Sequence, residues 1–172
     1  MQAVPPPART AVLALLVWVV VLCPGSGSAA VAQSVEPRID KDVLYLGALE
    51  GEGLTERDLN RGDIIAIFWA SWSPRCRGIV ERAAALEARW GQQARVITVN
   101  FQEDASTIRR FLGPAPAPVP VYLDLSGTFS RRHGVTTLPA MVFLRRGEGQ
   151  YQGRLAEDAD QRIAHFLETE RK

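Results

Sequence analysis

Short, continuously apolar runs alternate along the chain with stretches in which apolar residues recur every three or four positions. The run IIAIFW at residues 64–69 is rich in β-branched and aromatic residues and predicts a central strand buried on both faces. The run ARVITVN at residues 94–100 predicts a second buried strand. Further strands are predicted at residues 43–46, 119–123, 141–144 and 150–153.

Helices are predicted between these strands. From Ser73 and Pro74 to Trp90, apolar residues fall on one helical face, and Cys76 on that face is expected to point inward. Ser73 would cap this helix, and Pro74 suits its first position. Shorter helices are predicted within residues 55–59, 103–111, 124–133 and 157–168. This order ends in a hairpin around residues 145–149, so it predicts an α/β fold with a central mixed sheet flanked by helices on both faces.

The N-terminal residues have the pattern of a secretory signal. Residues 11–22 form an unbroken apolar run, shorter than the roughly 20 residues that a membrane span needs, and Ala30-Val31-Ala32 fits a cleavage site. We expect a signal peptide at residues 1–32 with cleavage after Ala32, a leader with a short strand at 33–52, and one domain at 53–172. The protein would be periplasmic or exported, and a membrane-bound form through an uncleaved signal anchor is the alternative.

Composition narrows the possible functions. The 172 residues include 20 Lys plus Arg and 19 Asp plus Glu, and this balance argues against a nucleic-acid partner. Cys23 and Cys76 are too few for a disulfide scaffold or a cysteine-rich zinc site, and cleavage of the signal would leave only Cys76. His133 and His165 lack the paired spacing of metal ligands, so we expect solvated surface histidines, no metal and no cofactor.

Three segments resemble a known family. Residues 68–77 read FWASWSPRCR, residues 133–143 read HGVTTLPAMVF, and residues 120–124 read PVYLD. The first is similar to the FWA(S/T)WCxxCR active-site segment of exported thioredoxins of the TlpA and ResA type, and the others resemble segments that follow in the same order. The resemblance implies a thioredoxin-like fold over about residues 43–168, a cis Pro139 beside the active site, and a function in thiol and redox homeostasis of the cell envelope.

The chain departs from the family pattern at the positions that carry out the family's chemistry. Ser73 stands where the family has its attacking cysteine, and Ile67 stands where it has a buried acid. Disulfide exchange needs a thiolate to attack and a second thiol to resolve, so Cys76 alone cannot complete the intramolecular cycle. A serine hydroxyl is scarcely ionised at neutral pH and forms no mixed disulfide. Ordinary dithiol-disulfide reductase turnover is therefore predicted to be absent.

Cys76 could still be reactive or could be a small core residue. A position in the first turn of a helix beside Arg75 and Arg77 favours the thiolate, whereas burial opposes it. The spacing from Ser73 to Cys76 also resembles the T/S-x-x-C motif of peroxiredoxins, which suggests a one-cysteine thiol peroxidase. Trp69, however, stands where that pattern has a proline.

A non-catalytic binding module is the third interpretation. An apolar surface suited to an extended client peptide is predicted from five residues: Trp69, Trp72, Pro74, Leu138 and Pro139. A mixed disulfide at Cys76 could hold such a client protein. A basic rim that favours acidic partners is predicted from four arginines: Arg75, Arg77, Arg131 and Arg132.

Overall fold

The computed structural model describes residues 44–169. The predicted signal peptide and residues 33–43 of the predicted leader lie outside these residues. The strands are β1 Tyr45–Ala48, β2 Leu54–Thr55, β3 Asp63–Trp69, β4 Arg95–Phe101, β5 Val121–Asp124, β6 Ala140–Arg145 and β7 Glu148–Arg154. The helices are α1 Glu56–Leu59, α2 Ile79–Trp90, α3 Ala105–Leu112, α4 Thr128–Arg132 and α5 Ala159–Glu168, with a 3₁₀ turn at Pro74–Cys76.

All seven strands form one mixed sheet in the order β2-β1-β5-β4-β3-β6-β7. Strand β3 pairs in parallel with β4 and antiparallel with β6, and β4 pairs in parallel with β5. Strand β1, within the stretch that the sequence assigned to the leader, pairs antiparallel with β5. The predicted α/β class and mixed sheet are confirmed.

Both faces of the sheet are covered because β3 is apolar at every position after its first residue. Ile65, Ile67 and Trp69 pack in one core cluster with residues of α2, α3 and α5. Ile64, Ala66 and Phe68 pack in a second cluster with Leu59 of α1 and Phe129 of α4. Helices on both faces, as predicted, therefore enclose the central strand.

One edge of the sheet gathers the loops that concern function. The parallel strands β3, β4 and β5 end there, and β6 begins there because Phe68 pairs with Ala140. We call this the carboxyl edge, and it carries residues 70–73, 102–104, 125–127 and the cis peptide bond between Leu138 and Pro139. In open α/β sheets, ligands bind at such an edge.

Two details differ from the sequence-based expectations. Strand β2 has only two residues and was not predicted, because so short a segment carries no alternating pattern. The hairpin between β6 and β7 is tighter than expected, since only Arg146 and Gly147 separate the strands. Both have positive φ, 51° and 77°, which is the conformation that two-residue hairpin turns require.

Candidate functional site

The candidate site is the turn that follows β3. The backbone N–H of Ser73 donates to the carbonyl of Ala70 at 3.2 Å, and the N–H of Cys76 donates to the carbonyl of Ser73 at 2.9 Å. These bonds wind residues 73–76 into one tight turn and bring the two site residues together. Ser73 is 6% exposed and Cys76 is 0% exposed, so the inward direction predicted for Cys76 is confirmed.

The helix predicted from Ser73 to Trp90 is interrupted. Arg77 is extended, and Gly78 has a φ of 64°, in the left-handed region that favours glycine, so α2 begins only at Ile79. Cys76 therefore lies before α2 and not in its first turn, and the expected contribution of the helix dipole to a thiolate is lost. The Ser73 side chain makes no capping hydrogen bond, contrary to the N-cap prediction.

The predicted apolar surface is only partly exposed. Trp72 is 64% exposed and Pro74 is also exposed, whereas Leu138 is half-buried and Pro139 is buried. Trp69 does not belong to this surface, because it is 0% exposed and packs with its ring centroid 5.5 Å from that of Phe111. As the last residue of a strand buried on both faces, it points into the core.

A buried carboxylate anchors the turn from another strand. Glu103, just past β4, is 9% exposed and accepts hydrogen bonds from the Ser71 N–H at 2.7 Å and the Asn100 side-chain amide at 2.8 Å, and also from the Ser71 hydroxyl. Ile67, where the family has its acid, is a fully buried core residue. Sequence reasoning missed Glu103; an acid directly after a buried parallel strand was the available signal.

The two histidines differ in their surroundings. His165 is exposed, as expected. His133 is half-buried, which corrects the expectation of a solvated side chain: its ring packs edge-on against Phe129 at 4.6 Å, and its Nε2 is buried without a hydrogen-bond partner within residues 44–169. Burial, and then the positive charge of Arg132, lower the pKa of His133 below its ordinary value, while Glu148 opposes the shift.

The predicted basic rim separates into free and bound arginines. Arg75 and Arg77 are exposed and make no hydrogen bond or ion pair with the described part of the chain. Arg131 donates to the carbonyl of Ser126 at 2.9 Å, and Arg132 lies 3.5 Å from the carboxylate of Glu56. Of these four arginines, the two without a bonding partner in the described chain are thus the ones at the turn of residues 73–76 and directly after it.

Two kinds of feature are absent from residues 44–169. No group of three or more histidine, cysteine or acidic side chains is placed there to hold a metal ion. Within the same residues, no helix has the length and apolar character to cross a membrane.

The sheet order, the turn after the central strand and the cis-proline loop beside it define a thioredoxin-like fold whose site turn reads Ser-Pro-Arg-Cys. Similar proteins share this fold. The chain is 22% identical over 126 residues to the thiol-disulfide oxidoreductase ResA of Halalkalibacterium halodurans, covering 73% of this chain and 72% of that protein. Compared with models of known protein families, it matches none.

Solved structures of other proteins share the same thioredoxin-like fold. The exposed lipoprotein thioredoxin of Streptococcus pneumoniae strain TIGR4 superimposes with a TM-score of 0.63 at 22% identity, covering 74% of this chain and 98% of that one. A DsbE-type thiol:disulfide interchange protein of Chlorobium tepidum superimposes with a TM-score of 0.60 at 22% identity, covering 74% and 91%. At these identities the likeness establishes the fold.

Proposed function

We propose that this chain is an exported thioredoxin-fold protein that binds client proteins in thiol and redox homeostasis of the cell envelope, without dithiol-disulfide turnover of its own. The observation that carries the proposal is the pairing of a fully buried Cys76 with Ser73 in one turn. Cys76 is the only cysteine among residues 44–169, and it is a free thiol.

Chemistry at this turn is limited by access as well as by the missing second sulfur. A client disulfide must reach the attacking sulfur, and the Cys76 side chain has no exposed surface. Ser73 cannot form the mixed disulfide that would start exchange. A mixed disulfide between Cys76 and a client would first require the turn at residues 73–76 to open.

Client contact is assigned to the exposed residues beside the turn. Trp72 and Pro74 are exposed apolar residues of this turn. The half-buried Leu138 and the buried Pro139 come just before Ala140, which pairs with Phe68 at the end of β3, and we assign them to the same surface. An exposed tryptophan fixed on a short turn is a typical anchor for a protein partner, because it offers a large contact area with little conformational freedom to lose.

Export is supported by the apolar run at residues 11–22 and by the description of the similar pneumococcal protein as an exposed lipoprotein. In this proposal the signal peptide is removed after Ala32, and residues 33–172 form the exported protein. Mass analysis of the N-terminus after secretion tests the cleavage site.

Insulin reduction tests the absence of turnover. With a chemical reductant supplied, we expect residues 33–172 to give no insulin precipitation above the reductant alone, because the cycle lacks a second thiol. Robust turnover that disappears in the Cys76→Ser variant would overturn the proposal.

A matched variant tests the reason for this inactivity. Ser73→Cys restores two sulfurs within one turn, and we expect it to form an intramolecular disulfide and to gain insulin-reducing activity. Ser73→Ala keeps the single sulfur and should remain inactive, and the double variant Ser73→Cys with Cys76→Ser should not form the internal disulfide. A fully inactive Ser73→Cys protein would show that another feature of the site blocks turnover.

The one-cysteine peroxidase alternative is disfavoured by the burial of Cys76. Peroxide must contact a thiolate sulfur, and oxidation follows exposure and thiolate character. Consumption of hydrogen peroxide that is lost in the Cys76→Ser variant would instead support this alternative.

A further inference from the structure

A second cleft of the described chain opens between the hairpin of β6 and β7 and helix α5. Its volume is about 500 Å³, which is within the range of small-molecule sites. The residues that line it include Arg145 at the end of β6 and Thr169 after α5. Because β6 begins beside Pro139 and runs away from the carboxyl edge, this cleft lies apart from the surface assigned to clients.

Three stacked aromatic rings form the apolar part of the cleft. The centroid of the Phe143 ring lies 5.0 Å from that of Tyr151 and 4.7 Å from that of Phe166, with interplanar angles of 29° and 22°. Phe143 and Phe166 belong to the buried core, whereas Tyr151 is half-buried. Aromatic rings pack favourably against another aromatic ring, so this lining favours an aromatic ligand.

Two arginine side chains lie over these rings. The guanidinium carbon of Arg145 is 4.6 Å from the ring centroid of Phe166, and that of Arg162 is 5.4 Å from the ring centroid of Tyr151. Guanidinium groups stack on aromatic rings through cation–π attraction, which helps to fix the positions of the rings. A ligand that enters such a preformed lining loses less free energy to the ordering of side chains.

The positive charges of both arginines are balanced by carboxylates. Arg145 donates two hydrogen bonds of 2.9 Å to Asp63, and Arg162 lies 2.6 Å from the carboxylate of Asp158. Among the described residues that line the cleft, none is acidic. An ionic ligand would lose its hydration there without gaining an unpaired counter-charge, so the cleft favours an uncharged molecule.

Hydrogen-bond donors line the exposed side of the cleft. Gln161, His165 and Thr169 recur at intervals of four residues on one face of α5 and its C-terminal cap, and all three are exposed. The side chains of Gln161 and His165 make no hydrogen bond within residues 44–169. An amide N–H and an imidazole N–H can each donate to an oxygen of a ligand. The cleft therefore combines an aromatic lining with unused donors.

We propose that this cleft binds an uncharged aromatic small molecule that carries a carbonyl or hydroxyl oxygen. The ring of this molecule would contact Tyr151, and its oxygen would accept a hydrogen bond from Gln161 or His165. The proposal adds a ligand site to the protein and does not depend on client binding at Trp72.

Fluorescent probes test the class of ligand. Prodan is an uncharged naphthalene ketone whose emission shifts to the blue when it leaves water, and it is titrated with the protein of residues 33–172. We expect a blue shift with a dissociation constant below about 1 mM. Dimethylaminonaphthalene, which lacks the ketone, should bind about fivefold more weakly because it loses one hydrogen bond. The analogue with a carboxylate in place of the ketone should bind no more tightly than Prodan, because both arginines are already paired.

Two matched tryptophan variants locate the bound probe. Gln161→Trp fills the cleft from α5 and should weaken the binding of Prodan by at least about tenfold. Gln152→Trp makes the same change on β7, opposite Val142, whose side chain packs in the other core cluster on the other face of the sheet. We expect this variant to bind Prodan within about twofold of the unaltered protein. Both glutamines are exposed, so both variants should fold.

Several results would overturn the proposal. One is the absence of a blue shift at protein concentrations up to about 1 mM. Binding that survives in Gln161→Trp would place the probe elsewhere, and binding that is lost in Trp72→Ala would place it on the surface assigned to clients. Tighter binding of the carboxylate analogue would contradict the uncharged class of ligand. Binding only by a chain that ends at Thr169 would assign the cleft to residues 170–172.

Discussion

At the residue scale, position 73 carries a hydroxyl oxygen and no sulfur, in a turn closed by backbone hydrogen bonds around the Cys76 thiol. Ser73 still accepts the Cys76 N–H through its carbonyl and is buried like its neighbour. The backbone that surrounds the thiol is therefore present, while the atom that would attack a disulfide is absent. The Ser73→Cys experiment is informative because it alters this atom alone.

Glu103 is expected to stabilise the folded protein through the geometry of the hydrogen bonds that it accepts. Glu103→Ala leaves the buried Ser71 N–H and the Asn100 amide without an acceptor, and we expect a loss of about 1–3 kcal/mol in the free energy of unfolding. Urea denaturation measures this loss, and hydrogen exchange at the Ser71 amide should accelerate.

The matched variant for this prediction is Glu103→Gln. Its carbonyl oxygen can accept from both Ser71 and Asn100, and its NH₂ can donate to the Ser71 hydroxyl. We therefore expect a clearly smaller loss than for Glu103→Ala. Equal losses in the two variants would show that the negative charge matters more than the geometry.

Sequence periodicity predicted the inward direction of Cys76 correctly, because both the tight turn and a helix place it on the apolar side. It missed Glu103, because one partner of that carboxylate, Ser71, lies 32 residues away in the turn after β3. It also placed Trp69 at the surface, because an aromatic residue beside a motif does not reveal which face of the strand it occupies.

At the scale of elements, the break between the 3₁₀ turn and α2 separates the thiol from the helix. Gly78 precedes α2 in a left-handed conformation that suits glycine. The apolar spacing through residues 76–90 does not reveal the break, because a single glycine leaves the pattern unchanged.

Gly78→Ala should therefore destabilise the protein. An alanine in the left-handed region costs roughly 1–2 kcal/mol, and urea denaturation should show a loss of this size in the free energy of unfolding. Gly47→Ala is the matched control: its φ is not positive, and a Cβ there meets nothing within 4 Å. A tolerated Gly78→Ala would mean that α2 can extend back toward Cys76.

The strands and most helices could be predicted because buried strands are continuous apolar runs and helices have a distinct period. Two features lay beyond such patterns. Strand β2 is stabilised mainly by pairing with β1, and the order of strands in the sheet depends on contacts between distant residues.

For the whole molecule, His133 links stability to pH. Because burial lowers the pKa of His133 in the folded protein, the unfolded chain binds a proton more readily. Stability should therefore be complete above the ordinary value of 6.5 and should fall as pH drops below it. We expect the unfolding free energy, measured by urea denaturation, to decrease between about pH 7 and pH 5.

Replacing the His133 side chain tests whether its imidazole causes the loss of stability at low pH. His133→Phe keeps the ring contact with Phe129, removes the titrating group and should reduce the decrease. His165→Phe is the matched control, because that side chain is exposed and should leave the decrease in place. An unchanged pH dependence in His133→Phe would assign the effect to other groups.

The direction of β1 has a practical consequence for where the protein can be labelled. The described chain enters the sheet at the carboxyl edge, because β1 runs antiparallel to β5, whereas Thr169 after α5 lines a cleft with Arg145, at the far end of β6 from Pro139. A fluorescent label placed at Leu44 would therefore report on the carboxyl edge, whereas a label placed at Thr169 would report on the other end of the sheet.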